Sequence, residues 1–160
     1  MRQMVNRSRD AEDDAGFTLI ELLVVVVIIG VLVAIAVPVY LNYRMGAADK
    51  SAQSDVRGAV SAVVQFYTDN TNTYPTTVSG ANDGSSSGTA ALTLTTGAGS
   101  STQTITLSDK TQLGYVNNGA SYLLCGNNTG GSGKWYVYDS ANGGSVKAST
   151  ATTLNLTTCA

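Results

Sequence analysis

The sequence contains no histidine, so it lacks the side chain that most often acts as a general base or binds a metal. Charge is also scarce, because only 12% of the 160 residues are charged and the net charge is −2 at pH 7. No basic run is present, and nucleic-acid binding is therefore not expected. Residues 130–133 (GGSG) match neither a nucleophile elbow nor a phosphate-binding loop. We therefore expect no enzyme, no cofactor and no metal site.

One long apolar segment dominates what the sequence does contain. Residues 17–40 read FTLIELLVVVVIIGVLVAIAVPVY, and only Thr18, Glu21, Gly30 and Pro38 interrupt the hydrophobic pattern. As a helix this segment is about 35 Å long, enough to cross a hydrocarbon core of about 30 Å. A helix that is apolar on every face is rare in a water-soluble domain. The segment is thus predicted to lie in lipid or in a bundle of identical helices.

Glu21 does not fit a plain membrane anchor. An ionised acid in mid-bilayer costs on the order of 3 kcal/mol, and such acids usually have a partner. Glu21 lies near the start of the apolar run, so one interpretation is that it marks the headgroup boundary. The other interpretation, which we favour, is that it has a function that requires a partner.

The residues around Glu21 resemble the class III signal of type IV pilins and pseudopilins. Gly16, Phe17 and the following TLIE precede the apolar run as they do in that family. The resemblance implies that a prepilin peptidase cuts after Gly16 and methylates Phe17. It also implies that Glu21 pairs with the N-terminus of a neighbouring subunit. An unpaired buried charge is costly, so this pairing would set the register of assembly.

Residues 1–16 are polar and are interpreted as a cleaved, cytoplasmic leader. Arg2, Arg7 and Arg9 agree with the positive-inside rule. The acidic cluster before Gly16 is similar to pilins of Gram-positive actinobacteria. An alternative is an ordinary secretory signal cut after Ala36, within an A-x-A pattern, so that the mature chain begins at Val37.

Gly30 and Pro38 weaken the helix in which they lie. Glycine costs about 1 kcal/mol relative to alanine, and proline removes a backbone hydrogen bond. Both residues are tolerated in membrane helices, so they need no special role. The resemblance implies a sharper role, in which the segment between them loses helicity in the filament and adds extensibility.

The rest of the chain, residues 41–160, is predicted to form a globular head. Apolar residues at three- and four-residue spacing continue the helix through 41–70; they include Val56, Val60, Val63, Val64 and Tyr67. A loop is expected over 71–90, where Asn82-Asp83-Gly84 favours a tight turn over a calcium site.

Residues 91–160 show a period of two, which predicts short β-strands. These include strands around Leu154 and Leu156, near the end of the sequence. The amphipathic helix is expected to cover one face of an antiparallel sheet, and the threonine-rich opposite face to meet water. Tyr136 and Tyr138 should share one face and Trp135 and Val137 the other. The fold class is therefore α+β, with a type IV pilin-like arrangement.

The two cysteines, Cys125 and Cys159, are predicted to form a disulfide in a translocated domain. Two free buried cysteines remain the alternative. Many pilins have one disulfide that fixes their C-terminal region, so the resemblance favours the disulfide.

The resemblance implies a structural subunit of a surface filament, here a major pilin of a type IV pilus-like fimbrium. The precursor would be a single-pass membrane protein with a cytoplasmic N-terminus, and the filament would be extracellular. Expected partners are other copies of the chain, the prepilin peptidase, the assembly platform and minor pilins. A pseudopilin of a secretion or DNA-uptake machine is one alternative. An exported, membrane-anchored binding or adhesion module is another.

Overall fold

The computed structural model describes residues 17–85, 88–97 and 101–160. The predicted leader, including Gly16, lies outside these residues. The chain divides into two compact units, Met1–Val39 and Tyr40–Ala160.

One helix, α1, spans Leu19–Asp69 and contributes to both units. In the first unit its large apolar side chains are all exposed, from Leu19 onwards. In the second unit it is amphipathic, and its buried positions recur every three or four residues, as expected for one face of a helix. These buried positions are Asp49, Ala52, Val56, Ala59, Val63 and Phe66. Val64 was predicted on the covered face but is 53% exposed. The row of buried positions runs from Val63 to Phe66 instead.

The helix ends in a left-handed turn. Thr71 and Asn72 have φ values of 51° and 59°, and the Asn72 N–H donates to the Tyr67 carbonyl at 3.0 Å. Asparagine tolerates this conformation, and Pro75 follows shortly after. The sequence therefore stops the helix where the prediction placed its end.

The described residues of the second unit form two antiparallel sheets. The strands are β1 (Val78–Ala81), β2 (Ala91–Leu94), β3 (Gln103–Thr106), β4 (Thr111–Asn117), β5 (Tyr122–Asn128), β6 (Tyr136–Asp139) and β7 (Lys147–Ala148). The larger sheet has the order β1-β4-β5-β6-β7, and β2 pairs with β3 alone. A helix packed on antiparallel strands confirms the predicted α+β fold class.

The central hairpin joins β4 and β5. Gly119 follows Asn118 and has φ 80°, and the Asn118 N–H donates to the Ser121 carbonyl at 2.9 Å. Gly119 is the first of the two residues between Asn118 and Ser121, a position at which such tight turns need positive φ and prefer glycine. The turn sets the register in which Asn117 lies opposite Tyr122 and Gly114 opposite Cys125.

Three aspartates of α1 bind the strand side of the head. The Asp49 carboxylate accepts the Ser132 N–H at 2.9 Å and the Ser132 hydroxyl at 2.5 Å. Asp55 accepts the N–H and hydroxyl of Ser108 at 2.8 and 2.9 Å. Asp69 accepts the side-chain amide of Gln103 at 3.0 Å. Charge-assisted bonds of this kind fix the loops after β5 and β3 against the helix.

Five tyrosine rings form a cluster in the core of the head. Their centroids are separated by 4.5 Å (Tyr67–Tyr74), 5.3 Å (Tyr74–Tyr122) and 5.7 Å (Tyr115–Tyr122 and Tyr122–Tyr138). Burial, and then the neighbouring phenols, raise the pKa of Tyr115 and Tyr122. The buried Tyr115 hydroxyl has no hydrogen-bond partner among the described residues.

The back face of the larger sheet is covered, contrary to the expectation that it meets water. Val116, Cys125, Trp135 and Cys159 form a second buried cluster, against which Leu123, Val137, Leu154 and Leu156 pack. The period-two pattern shows only that the two faces of the sheet differ in polarity. It does not reveal that a later segment of the chain covers the face opposite the helix. Tyr136 and Tyr138 do lie on the helix side, opposite Trp135 and Val137, as predicted.

Strand positions also differ in part from the sequence interpretation. Strand β1 lies inside the range 71–90, which was predicted as a loop. The prediction missed this strand because its half-buried VSGA sequence shows no alternation of apolar and polar residues. Leu154 and Leu156 were expected in a strand but lie in a strand-free segment that covers the back face.

Asp83 caps a turn as predicted, since it accepts the Ser85 N–H at 2.9 Å. No group of three metal-ligating side chains is present among the described residues.

Candidate functional site

The start of α1 is closed by reciprocal hydrogen bonds between Thr18 and Glu21. The Thr18 N–H and hydroxyl donate to Glu21 Oε2 at 2.8 and 2.9 Å. The Glu21 N–H donates back to Thr18 Oγ1 at 3.3 Å. This is a capping box, in which the residue before the helix and the third helical residue satisfy each other's free backbone donors.

The capping box gives Glu21 a local partner that the sequence interpretation missed. The signal was present, because T-x-x-E directly before an apolar run is the sequence pattern of this cap. Thr18 is therefore a further residue of the site. Its bonds lower the cost of holding the Glu21 carboxylate beside apolar surroundings, since the carboxylate keeps hydrogen-bond donors there.

Phe17 lies beside the cap and is 86% exposed. A shallow, mostly apolar groove on the helix surface is lined by Phe17, Ile20, Glu21, Val24 and Val25. The structure thus brings Phe17 and Glu21, two of the predicted site residues, to one patch. Gly16 lies outside the described residues.

The helix that follows has the length and composition of a membrane span. Its most apolar 18-residue window has a mean hydropathy of 3.3, and none of that window is buried. Exposed side chains such as Val26 and Leu32, at 58% and 61%, have no covering partner within the described chain. This much apolar surface requires lipid or other apolar helices around it.

Gly30 and Pro38 lie within the continuous helix. A side chain at Gly30 would meet nothing within 4 Å, so no contact inside the described chain requires glycine there. The helix carries the cost of both residues without breaking. Loss of helicity between them remains a prediction for the assembled state.

Cys125 and Cys159 form a disulfide, which the prediction anticipated. It joins β5 to the segment that covers the back face of the sheet. Gly114 on β4 permits the close approach of that segment, because a Cβ there would collide with the Leu156 carbonyl. The bond closes a loop with a sequence separation of 34 residues.

Comparison with known proteins bears mainly on the N-terminal part. The family model described as "Prokaryotic N-terminal methylation motif" matches residues 13–37. The chain is 44% identical over 52 residues to the type IV major pilin protein PilE1 of Neisseria gonorrhoeae, covering 32% of each chain. It is 39% identical over 66 residues to the type II secretion system core protein G of Aeromonas hydrophila, covering 41% of this chain and 46% of the relative.

A third relative is the fimbrial protein EcpC of Eikenella corrodens, 44% identical over 54 residues, or 34% of this chain and 35% of the relative. The chain therefore spans about a third of the length of the fimbrial relatives that it matches. No solved structure matches the fold significantly.

Proposed function

The chain belongs to the type IV pilin and pseudopilin family, and on that premise we propose that it is the precursor of a major pilin. Proteins of this family are structural, so the chain is not an enzyme. In the proposed route the precursor inserts with residues 1–16 in the cytoplasm and the head outside. A prepilin peptidase removes the leader after Gly16 and methylates Phe17. Subunits then join into a surface filament with the apolar helices inside, at an assembly platform and together with minor pilins.

The observation that carries this proposal is the exposed apolar helix with a single carboxylate at its start. Lipid tails and neighbouring apolar helices satisfy such a surface equally well, so the helix can move from membrane to filament core. Glu21 then acts as the register residue. In a neighbour placed at the wrong height, the carboxylate would keep only its own cap, and the ammonium of the adjoining subunit would have no partner. Unpaired charges are costly when water is excluded.

A second candidate function is a pseudopilin of a secretion machine. The similarity to the type II secretion system core protein G covers 66 residues, more than the 52 residues matched in PilE1. Processing would be the same, but the product would be a short filament. Electron microscopy of native cells, with quantification of the subunit, separates the two. Long, abundant filaments labelled by an antibody to the head support a major pilin, and short, scarce ones support a pseudopilin.

The processing itself is tested by intact-mass and N-terminal analysis of the protein from native cells. We expect a chain that starts at methylated Phe17 and is two hydrogens lighter because of the disulfide. A start at Val37, or an uncut chain, would overturn the pilin proposal in favour of an exported or membrane-anchored binding module. Origin from a Gram-positive actinobacterium stays a prediction, which the source of the native cells would decide.

A further inference from the structure

A groove of about 490 Å³ lies at the helical start of the second unit. One of its walls is the helix face that carries Leu41, Arg44, Met45 and Ala48, at spacings of three and four residues. The opposite wall includes Lys110, from the loop between β3 and β4. The groove therefore combines apolar side chains of the helix with one cation on each wall.

Neither cation is neutralised by the rest of the described chain. Arg44 and Lys110 are both exposed, and neither forms an ion pair within residues 17–85, 88–97 and 101–160. Arg44 instead lies over the Tyr40 ring, at 5.9 Å from its centroid. Asp109 is the one acidic residue among those lining the groove, which leaves the lining with a net charge of +1.

Lys110 is held in place by an unusual backbone. Its φ of 61° lies in the left-handed region, which residues other than glycine, asparagine and aspartate rarely adopt. Its N–H donates to the Asn82 carbonyl at 2.6 Å, and its carbonyl accepts the Thr129 N–H at 2.9 Å. Its stem packs on Gly130, since a Cβ there would lie 3.4 Å from Lys110 Cδ. Lysine therefore occupies a position where glycine would be less strained, and the conformation aligns its side chain with the groove.

The chemistry of the groove matches an amphipathic anion. Leu41 and Arg44 follow the apolar segment within about one helical turn, and Tyr40 and Tyr43 are 59% and 77% exposed. Exposed tyrosines at the end of an apolar span are typical of the membrane interface, and basic residues there attract anionic headgroups. A phosphate between the two cations, with an acyl chain against the apolar side chains of the helix wall, would use both positive charges and the apolar part of the lining.

We propose that the membrane-inserted precursor binds one anionic glycerophospholipid in this groove. Arg44 and Lys110 contact the phosphate, and Leu41 and Met45 contact the upper part of an acyl chain. The proposal rests on the membrane stage of the proposed function, and it does not depend on cleavage, methylation or filament formation.

The test uses the full-length precursor in nanodiscs made of equal parts phosphatidylcholine and phosphatidylglycerol. Native mass spectrometry measures the ratio of the two lipids that remain on the protein after release from the disc. We expect enrichment of phosphatidylglycerol over its bulk share. Each substitution, Arg44→Gln or Lys110→Gln, should lower that enrichment about fivefold, which corresponds to about 1 kcal/mol per surface cation. High salt should lower it as well.

The matched control is Lys134→Gln with Lys147→Gln, which removes two exposed charges of the same unit outside the groove. Lys110→Gly separates binding from folding, because it should relieve the strained backbone and retain stability while losing the enrichment.

Unchanged enrichment in the Arg44 and Lys110 variants, or an equal loss in the lysine control, would overturn the proposal. A loss of filaments with unchanged lipid retention would likewise overturn it and assign the groove to a contact between subunits. Failure of cleavage after Gly16 in native cells would overturn the pilin function and leave the lipid result standing.

Discussion

The two halves of α1 have nearly the same helical geometry and opposite environments. In Leu19–Asp69 the first half exposes large apolar side chains on every side, whereas the second half buries a single stripe under the strands. Val26 is 58% exposed and Val63 is fully buried, although both are valines inside one continuous helix. Helix propensity therefore does not distinguish the halves, and what surrounds each side chain does. Substitutions in the first half should affect assembly, and those in the second should affect the stability of the head.

The largest expected effect comes from Glu21→Ala. It removes the register carboxylate and leaves an unpaired N-terminal ammonium in the filament core, at a cost of about 3–5 kcal/mol per subunit. Filament yield on the cell surface should fall at least about tenfold, while the melting temperature of the head is unchanged. Thr18→Ala is the matched control, because it removes the two hydroxyl bonds of the cap but retains the carboxylate and its backbone donor. If Glu21→Ala cells carried normal filaments, the register role would be wrong.

Loss of the disulfide should affect the other half. Cys125→Ser with Cys159→Ser frees the segment over the back face, and the chain-entropy model predicts a loss of about 4 kcal/mol in the free energy of unfolding. Chemical denaturation of the full-length protein in detergent, followed by Trp135 fluorescence, measures this loss. Membrane insertion should be unaffected, and an unchanged midpoint would show that the apolar contacts of Leu154 and Leu156 hold the segment alone.

Val63→Ala and Val26→Ala make the comparison within one residue type. The buried substitution should cost the head about 2 kcal/mol, because it removes two methyl groups and leaves a cavity. The exposed one should leave the head's unfolding midpoint unchanged. Equal shifts in the two variants would mean that the halves unfold as one cooperative unit.

A smaller effect is expected at high pH, and only in the head, since residues 17–39 contain no tyrosine. The pKa values of Tyr115 and Tyr122 are raised in the fold, so the folded state favours the neutral phenols. This contribution to stability is complete below about pH 10 and is lost as the pH rises through the folded pKa values.

Tyr115→Phe should move the onset of alkaline unfolding to higher pH and raise stability at pH 7 by about 1 kcal/mol, because it removes an unpaired buried hydroxyl. Circular dichroism across pH 8–12 measures the onset of alkaline unfolding, and chemical denaturation at pH 7 measures the change in stability. Tyr43→Phe, at an exposed position, is the control and should change neither. A destabilised Tyr115→Phe protein would show that the hydroxyl has a partner, such as a buried water.

The features that sequence periodicity encodes were predictable. The helix, its end near Asp69 and the Asn118-Gly119 turn each follow from local residue types. The disulfide needed only two cysteines and the inference of export. The covered back face and strand β1 were not predictable, because they depend on which distant segments meet. Leu154 and Leu156 show the same alternation as a strand, yet they pack as a covering segment.

The candidate site was predictable in its residues but not in its contacts. Phe17 and Glu21 follow from the motif, and the T-x-x-E pattern that marks Thr18 as a cap was present but was not interpreted. The three aspartates that hold the head together were also missed. Asp49, Asp55 and Asp69 look like ordinary solvated helix charges until the two loops and the strand that they bind are placed.

The Thr18–Glu21 cap has a consequence for the reversibility of assembly. A subunit alone in the membrane keeps its carboxylate satisfied by its own backbone and hydroxyl. In the proposed filament, where a neighbour offers an ammonium, the carboxylate would exchange partners rather than acquire a first one. The free energy that Glu21 contributes when a subunit is added is then the difference between its stabilisation by the ammonium and its stabilisation by the cap. This difference is small compared with either stabilisation. A filament built on such exchanges can return its subunits to the membrane without stranding a bare charge there, so growth and retraction can use the same residue.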